Sequence, residues 1–181
     1  MDTRIVQVVC AVSMEGIFGE GTGLAWKFGK LNEDFRRFVE NTPGTVIMGR
    51  ITWESLPPNA RPLKGRTNIV VSGSKDYKAD GATVCASLDE ALALATTETI
   101  SIIGGVGLVK EAVSRGLVDT AHITVVNKTL PSTDQTKYFI QLLSERFWNP
   151  LVCLSIESHS QPTADGGTVM LEFRHYERGD V

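Results

Sequence analysis

Apolar, β-branched runs recur along the chain at 5–12, 45–48, 68–72, 82–85, 100–103, 121–126, 151–157 and 168–176. Runs of this length and composition predict strands. Between them, helical spacing of apolar positions predicts helices over 31–41, 50–56, 88–95 and 108–115. Ser87 with Glu90 has the capping-box pattern before the third helix, and Gly116 stands as a C-cap after the fourth. Alternating strands and helices predict an α/β fold. It is an about eight-stranded, mostly parallel sheet flanked by about four helices. The last two strands are joined by Ala164-Asp165-Gly166-Gly167, a hairpin signal, so the C-terminal edge is antiparallel. Nothing repeats and no linker divides the chain, so residues 1–181 read as a single domain. The segment 127–149 has the weakest pattern. Tyr138, Phe139, Leu142 and Leu143 favour an extra helical turn or two there.

One helix carries a polar residue where the pattern calls for an apolar one. Leu31, Asp34, Phe35, Phe38 and Thr42 fall on one face, and Arg36, Arg37 and Glu40 on the other. An unpartnered charge in an apolar stripe is costly. Asp34 either complements the helix dipole in the first turn, after an Asn32 cap, or binds a cationic or amidine-like heterocycle and supports its protonation.

Composition narrows the field. The chain has 181 residues, of which 42% are hydrophobic and 22% charged, with a formal net charge of −3. That is ordinary globular composition, and without a long basic stretch nucleic acid is not an expected partner. The first apolar run lacks a signal-peptide cleavage pattern and is too short to span a membrane, so it reads as a core strand and the protein as cytoplasmic. Cys10, Cys85 and Cys153 are an odd number of cysteines in apolar surroundings, which fits free core thiols. His122, His159 and His175 have no ligand spacing, so no metal is expected.

Two strand–glycine–helix junctions attract attention. Gly49-Arg50 follows 45–48, and Gly104-Gly105-Val106-Gly107 follows 100–103. Glycine lets a ligand approach the backbone, and a helix start favours anions. Two such junctions fit a ligand with two anionic points, such as a dinucleotide. The stretch Gly19 to Lys30 imitates a phosphate-binding P-loop, but five residues separate Gly23 from Gly29, and Leu31 stands where Ser or Thr is required. It is a surface loop or a lid carrying Leu24 and Trp26. Arg66 opens a strand after Gly65. It is either a solvated strand-end charge or a bidentate clamp for a ligand carboxylate.

Taken together, VVCAVSMEGIFG, GLAWKF, NEDFRRFVENT, VIMGRITWESLP, RPLKGRTNIVVS, IIGGVG and HITVV resemble the dihydrofolate reductase family, in order over nearly the whole chain. The resemblance implies NADPH-dependent reduction of dihydrofolate to tetrahydrofolate, serving one-carbon and thymidylate metabolism, by a monomer that needs no membrane. It implies Asp34 as the catalytic acid, with Trp26, Leu24 and Thr124 about it. Val9, Cys10, Phe35, Phe38, Leu63 and Ile103 would line the folate pocket, with Arg66 on the substrate's α-carboxylate. Ala11, Phe18, Gly19 and Leu24 would surround the nicotinamide. Gly49, Arg50 and Thr52 would take the adenosine and pyrophosphate side of NADPH. Ile103, Gly104, Gly105, Val106, Gly107 and Leu108 would form the second cofactor-facing helix start, with Ser72, Ser74 and Lys75 near the 2′-phosphate. Ala25, Ile51, Gly107 and Val109 depart from the family pattern. A pyrimidine reductase of riboflavin synthesis and a non-catalytic nucleotide-binding module are the competing readings. The first is not expected to keep Trp26, Asp34 and Arg66 together. The second gains nothing from a carboxylate in an apolar stripe.

Overall fold

The computed structural model describes residues 3–21, 23–26, 28 and 32–179. It is an α/β fold whose main sheet has eight strands. In chain order these elements are β1 (Ile5–Ser13), β2 (Ile17–Glu20), α1 (Glu33–Asn41), β3 (Thr45–Gly49), α2 (Arg50–Ser55), β4 (Thr67–Val71), β5 (Thr83–Cys85) and α3 (Leu88–Leu94). They continue with β6 (Thr99–Ile102), α4 (Val106–Ser114), β7 (Thr120–Asn127), β8 (Thr136–Tyr138), α5 (Glu145–Trp148), β9 (Leu151–Pro162) and β10 (Thr168–Arg178). The sheet order is β5-β4-β3-β6-β1-β7-β10-β9. Among the described residues, no helix is long and apolar enough to cross a membrane.

The chain divides into two compact units, 1–9 with 42–118, and 10–41 with 119–181. β1 gives its first half to one unit and its second half to the other. In the first unit the strands β5, β4, β3, β6 and β1 all pair in parallel. Their side chains Val8, Val46, Ile47, Met48, Val70 and Ile102 are almost wholly buried, as continuous apolar runs in a parallel sheet should be. The capping box forms: Ser87 Oγ accepts from the Glu90 N–H at 3.2 Å, and Glu90 Oε2 accepts from the Ala86 N–H at 2.9 Å. Gly116 ends α4 in the left-handed region at φ 64°, which glycine adopts without a Cβ clash.

In the second unit β10 pairs antiparallel with β7 and with β9. The predicted turn closes this hairpin, with the Thr163 N–H donating to the Gly167 carbonyl at 2.9 Å. The segment 127–149 holds more than the sequence pattern predicts. β8 pairs with β2 in a two-stranded ribbon, and a 3-10 turn (Ile140–Leu143) and α5 follow. Buried Phe139, Leu142, Trp148 and Tyr176 pack this segment into the unit's core, with Trp148 and Tyr176 rings 5.3 Å apart. The loop after β1 is accordingly tethered. Ile17–Glu20 is a strand, and Glu20 accepts from the hydroxyls of Thr133 and Thr136.

Candidate active site

Asp34 lies in the first turn of α1. Asn32 Oδ1 accepts from the Phe35 N–H at 3.0 Å, so the expected cap is made. The adjacent carboxylates then meet opposite surroundings. Glu33 bonds to Arg36, with Nε donating at 2.8 Å, and to Arg37, whose Nε donates at 3.2 Å. The Arg36 hydrogen bond leads in holding the Glu33 carboxyl down to about 2. Among the described residues no cation is placed against Asp34 in this way. Burial pushes its carboxyl above the ordinary range, and the donated Thr124 hydroxyl only opposes that rise. Two neighbouring acids driven apart in this way mark Asp34 as the one that holds a proton more readily. Cys10 of β1 stands close enough that Asp34 adds to the effect of burial in raising its thiol.

α1 differs from the sequence expectation in its burial: none of its described residues is fully buried. Its apolar stripe is therefore not core. Phe35 is 54% exposed, and its ring stacks with Phe38 at 6.3 Å. The expectation that Leu31 anchors this face falls outside the described residues. Nor is Glu33 solvated as its register predicts, because the two arginines close over it and leave its side chain 16% exposed. An apolar, uncovered face that carries a high-pKa carboxyl suits a flat, partly polar ligand.

Trp26 is buried in a cluster with Ile17, Val126, Leu130, Val169, Leu171 and Phe173, and Ala11, Ala25 and Phe28 pack against it. Its indole N–H has no partner among the described residues. A buried orphan donor costs about 1–3 kcal/mol, so its retention argues for a polar partner in function. Leu24 is exposed, and Phe18 is half-buried against Phe139 at 5.8 Å. Gly19 is buried, and a Cβ there would come within 3.0 Å of the Gly23 carbonyl.

In the other unit, neighbouring parallel strands β3 and β6 deliver the two glycine junctions side by side. The Gly49 N–H donates to the Gly104 carbonyl at 2.9 Å. Neither α2, which Gly49 precedes, nor α4, which Gly105 precedes, has a side-chain cap. Thr52 Oγ1 lies 3.6 Å from where a Gly105 Cβ would stand, and around Gly107 there is open space. Val106 and Leu108 fall in the first turn of α4. α2 has only six residues, so its dipole is short and Arg50 matters more than the helix start. Arg50 does not present a bare charge. Its Nε donates to Glu54 at 2.9 Å, and its guanidinium lies 4.7 Å over the Tyr77 ring. Ser72 is buried and accepts from the Ser74 N–H at 3.2 Å, whereas Ser74 and Lys75 are exposed. The donor set of uncapped backbone N–H groups, hydroxyls and two cations fits a phosphorylated dinucleotide.

Arg66 is not a loose strand-end charge. Its Nε donates to the Thr42 carbonyl at 2.6 Å, and Nη1 donates to the Lys64 carbonyl at 2.7 Å. Leu63, Val9 and Ile103 are buried. The residue that sequence reasoning missed here is Asn68. Its amide accepts from the Leu63 N–H and donates to the Leu63 and Arg66 carbonyls, which fixes the turn that presents Arg66. A buried polar residue at the start of an apolar strand was its available signal. His122 and His175 are also brought together, stacked at 4.5 Å by the β7–β10 pairing. Among the described residues no group of three or more His, Cys, Asp or Glu is placed to hold a metal ion.

A family model described as dihydrofolate reductase matches residues 5–177. A dihydrofolate reductase of Mycobacterium tuberculosis is 43% identical over 102 residues, covering 56% of this chain and 60% of that protein. The chain thus matches about 60% of the length of that relative. One from Neisseria meningitidis serogroup B is 38% identical over 141 residues, covering 74% of this chain and 83% of that protein. A solved structure of the Enterococcus faecalis dihydrofolate reductase, complexed with NADP(H) and RAB-propyl, superposes with a TM-score of 0.76. It is 23% identical and covers 99% of both chains, a likeness of fold.

Proposed function

The chain belongs to the dihydrofolate reductase family, and from that premise we propose that it reduces 7,8-dihydrofolate to 5,6,7,8-tetrahydrofolate with NADPH, feeding one-carbon and thymidylate metabolism. One observation carries the proposal. Asp34, with a raised pKa and the Thr124 hydroxyl on it, stands on an apolar helix face next to a Glu33 that is held ionised. A mere dinucleotide binder has no use for such a group.

NADPH supplies the hydride when bound. Asp34 binds the edge of the pterin ring and favours the protonated C=N that accepts hydride. Thr124 orients the Asp34 carboxyl. The buried Trp26 indole N–H offers a further hydrogen bond, and Leu24 excludes water. The family reading assigns Phe35, Phe38 and Cys10 of the second unit to the substrate, and likewise Val9, Leu63 and Ile103 of the first. Arg66, braced by Thr42, clamps the α-carboxylate of the substrate with its outer N–H groups. Gly49, Arg50, Thr52 and the turn from Gly104 to Leu108 hold the phosphates of the cofactor. Ser72, Ser74 and Lys75 recognise its 2′-phosphate, and Ala11, Phe18 and Gly19 lie at its nicotinamide end. Residues 1–181 act as one domain, since β1 serves both compact units. The protein works as a cytoplasmic monomer, and its net charge of −3 offers nucleic acid no attraction.

The test is loss of the NADPH absorbance band on adding dihydrofolate. Consumption that depends on dihydrofolate is the expected result. Consumption only with a ribityl-phosphate pyrimidine, or none at all, would overturn the proposal.

A further inference from the structure

The C-terminal hairpin of β9 and β10 makes two contacts with α1 that the proposed chemistry has not used. The first is at Gln161 of β9, which is completely buried. Its Oε1 accepts from the backbone N–H of Glu33 at 2.8 Å, and its Nε2 donates to the Pro162 carbonyl at 2.9 Å. The Glu33 N–H is one of the four amides that a helix start leaves without an internal partner. Asn32 takes the amide of Phe35, so a side chain far along the chain takes this one. The amide cannot flip, because flipping would set its NH₂ against the Glu33 N–H and its oxygen against a carbonyl.

The second contact lies one helical turn along α1 and four residues back on β9. Arg37 Nη2 donates to Glu157 at 2.7 Å, and the same guanidinium lies 4.0 Å over the Phe173 ring of β10. Residues 33 and 37 share one side of the helix. Two fixed points on one side of a helix prevent it from turning about its axis. Asp34 sits next to the first point and about 100° around that axis.

We infer that Gln161, with the Arg37–Glu157 pair as its second point, is a positioning residue for Asp34: the C-terminal hairpin holds α1 at the rotation that keeps the Asp34 carboxyl on Thr124 and away from water. The inference rests on the dihydrofolate reductase reading for its kinetic consequence, but not for its structural one. Helix rotation of a few degrees displaces a side-chain tip by a sizeable fraction of an ångström, and a shift of about 1 Å can cost about 10²-fold in rate. Among the described residues, Thr124 of β7 and Cys10 of β1 are the groups that interact with the Asp34 carboxyl. Neither carries charge near neutrality, so a change in its titration reports placement.

The experiment compares the full chain with Gln161→Met and Glu157→Gln. Asp34 carboxyl titration is followed by ¹³C NMR, and single-turnover hydride transfer from NADPH to dihydrofolate is followed across pH 5–9. In Gln161→Met the titration midpoint and the half-point of the rate profile move together to lower pH by half a unit or more. The rate at pH 7 falls about tenfold, while NADPH Kd stays within two-fold. Glu157→Gln, at an exposed site, shows a smaller shift in the same direction. A parental midpoint in folded Gln161→Met overturns the inference even if Tm falls, because a purely structural role lowers Tm alone. If Gln161→Met does not fold, Glu157→Gln decides: a lowered midpoint supports the inference, and a parental one overturns it. A parent that titrates Asp34 but consumes no NADPH with dihydrofolate contradicts the functional reading alone.

Discussion

Asp34 and Glu33 are neighbours in sequence, yet their surroundings push their pKa values in opposite directions. Glu33, held at about 2 by Arg36 and Arg37, has a folded pKa below its unfolded value. Its contribution to stability is therefore complete above about pH 4.5 and is lost as pH falls towards 2. Glu33→Gln should cost about 0.5–1 kcal/mol in urea unfolding at pH 7, the scale of a partly exposed ion-pair cluster. The difference from the parent should vanish near pH 2. A deficit that persists unchanged to pH 2 would show that the pairing is not what Glu33 contributes. Arg66→Leu should weaken dihydrofolate binding by about 2–4 kcal/mol and leave NADPH Kd nearly unchanged. Equal losses for both ligands would make Arg66 structural. Helical spacing singled out Asp34, because a carboxylate interrupts an apolar stripe. It could not reveal Gln161 or Asn68. Their partners are backbone amides, and in the case of Gln161 the partner is supplied only once distant segments meet.

At the scale of elements, the eight strands of the main sheet were legible because each lies on an apolar, β-branched run. The ribbon of β2 and β8 was not. Neither IFGE nor TKY is such a run, and their pairing joins distant segments. α5 is a single turn made by packing around Trp148, which leaves no period to read. The histidine pair is likewise a product of register. Burial, and then His175, lower the His122 pKa to about 4, and Glu177 lies 3.3 Å from His175. A folded pKa below the unfolded value of about 6.5 means the unfolded chain binds the extra proton between these limits. Stability should therefore fall as pH drops from about 6.5 to 4, by on the order of 1–3 kcal/mol. His122→Asn should flatten that limb in urea unfolding. An unaltered pH slope would show that His122 does not titrate as its burial requires.

For the whole molecule, the proposed reaction calls on phosphate-binding groups and on a carboxylate. On the proposed reading cofactor choice depends on Arg50 and Lys75, and Glu54 already occupies part of Arg50. Arg50→Ala should lower the NADPH-over-NADH ratio of kcat/KM by roughly 10–100-fold, the worth of one charge-assisted contact. An unchanged ratio would place the 2′-phosphate elsewhere. On the proposed reading, Asp34 supports protonation of the substrate as hydride arrives. Single-turnover hydride transfer from NADPH to dihydrofolate in Asp34→Asn, followed beside the parent from pH 5 to 9, tests it directly. The rate should fall by about 10²–10⁴ at neutral pH, the usual effect of a positioned acid–base group, and by less at pH 5, where solvent protonates the substrate. An Asp34→Asn protein within a few-fold of the parent across that range would contradict the account.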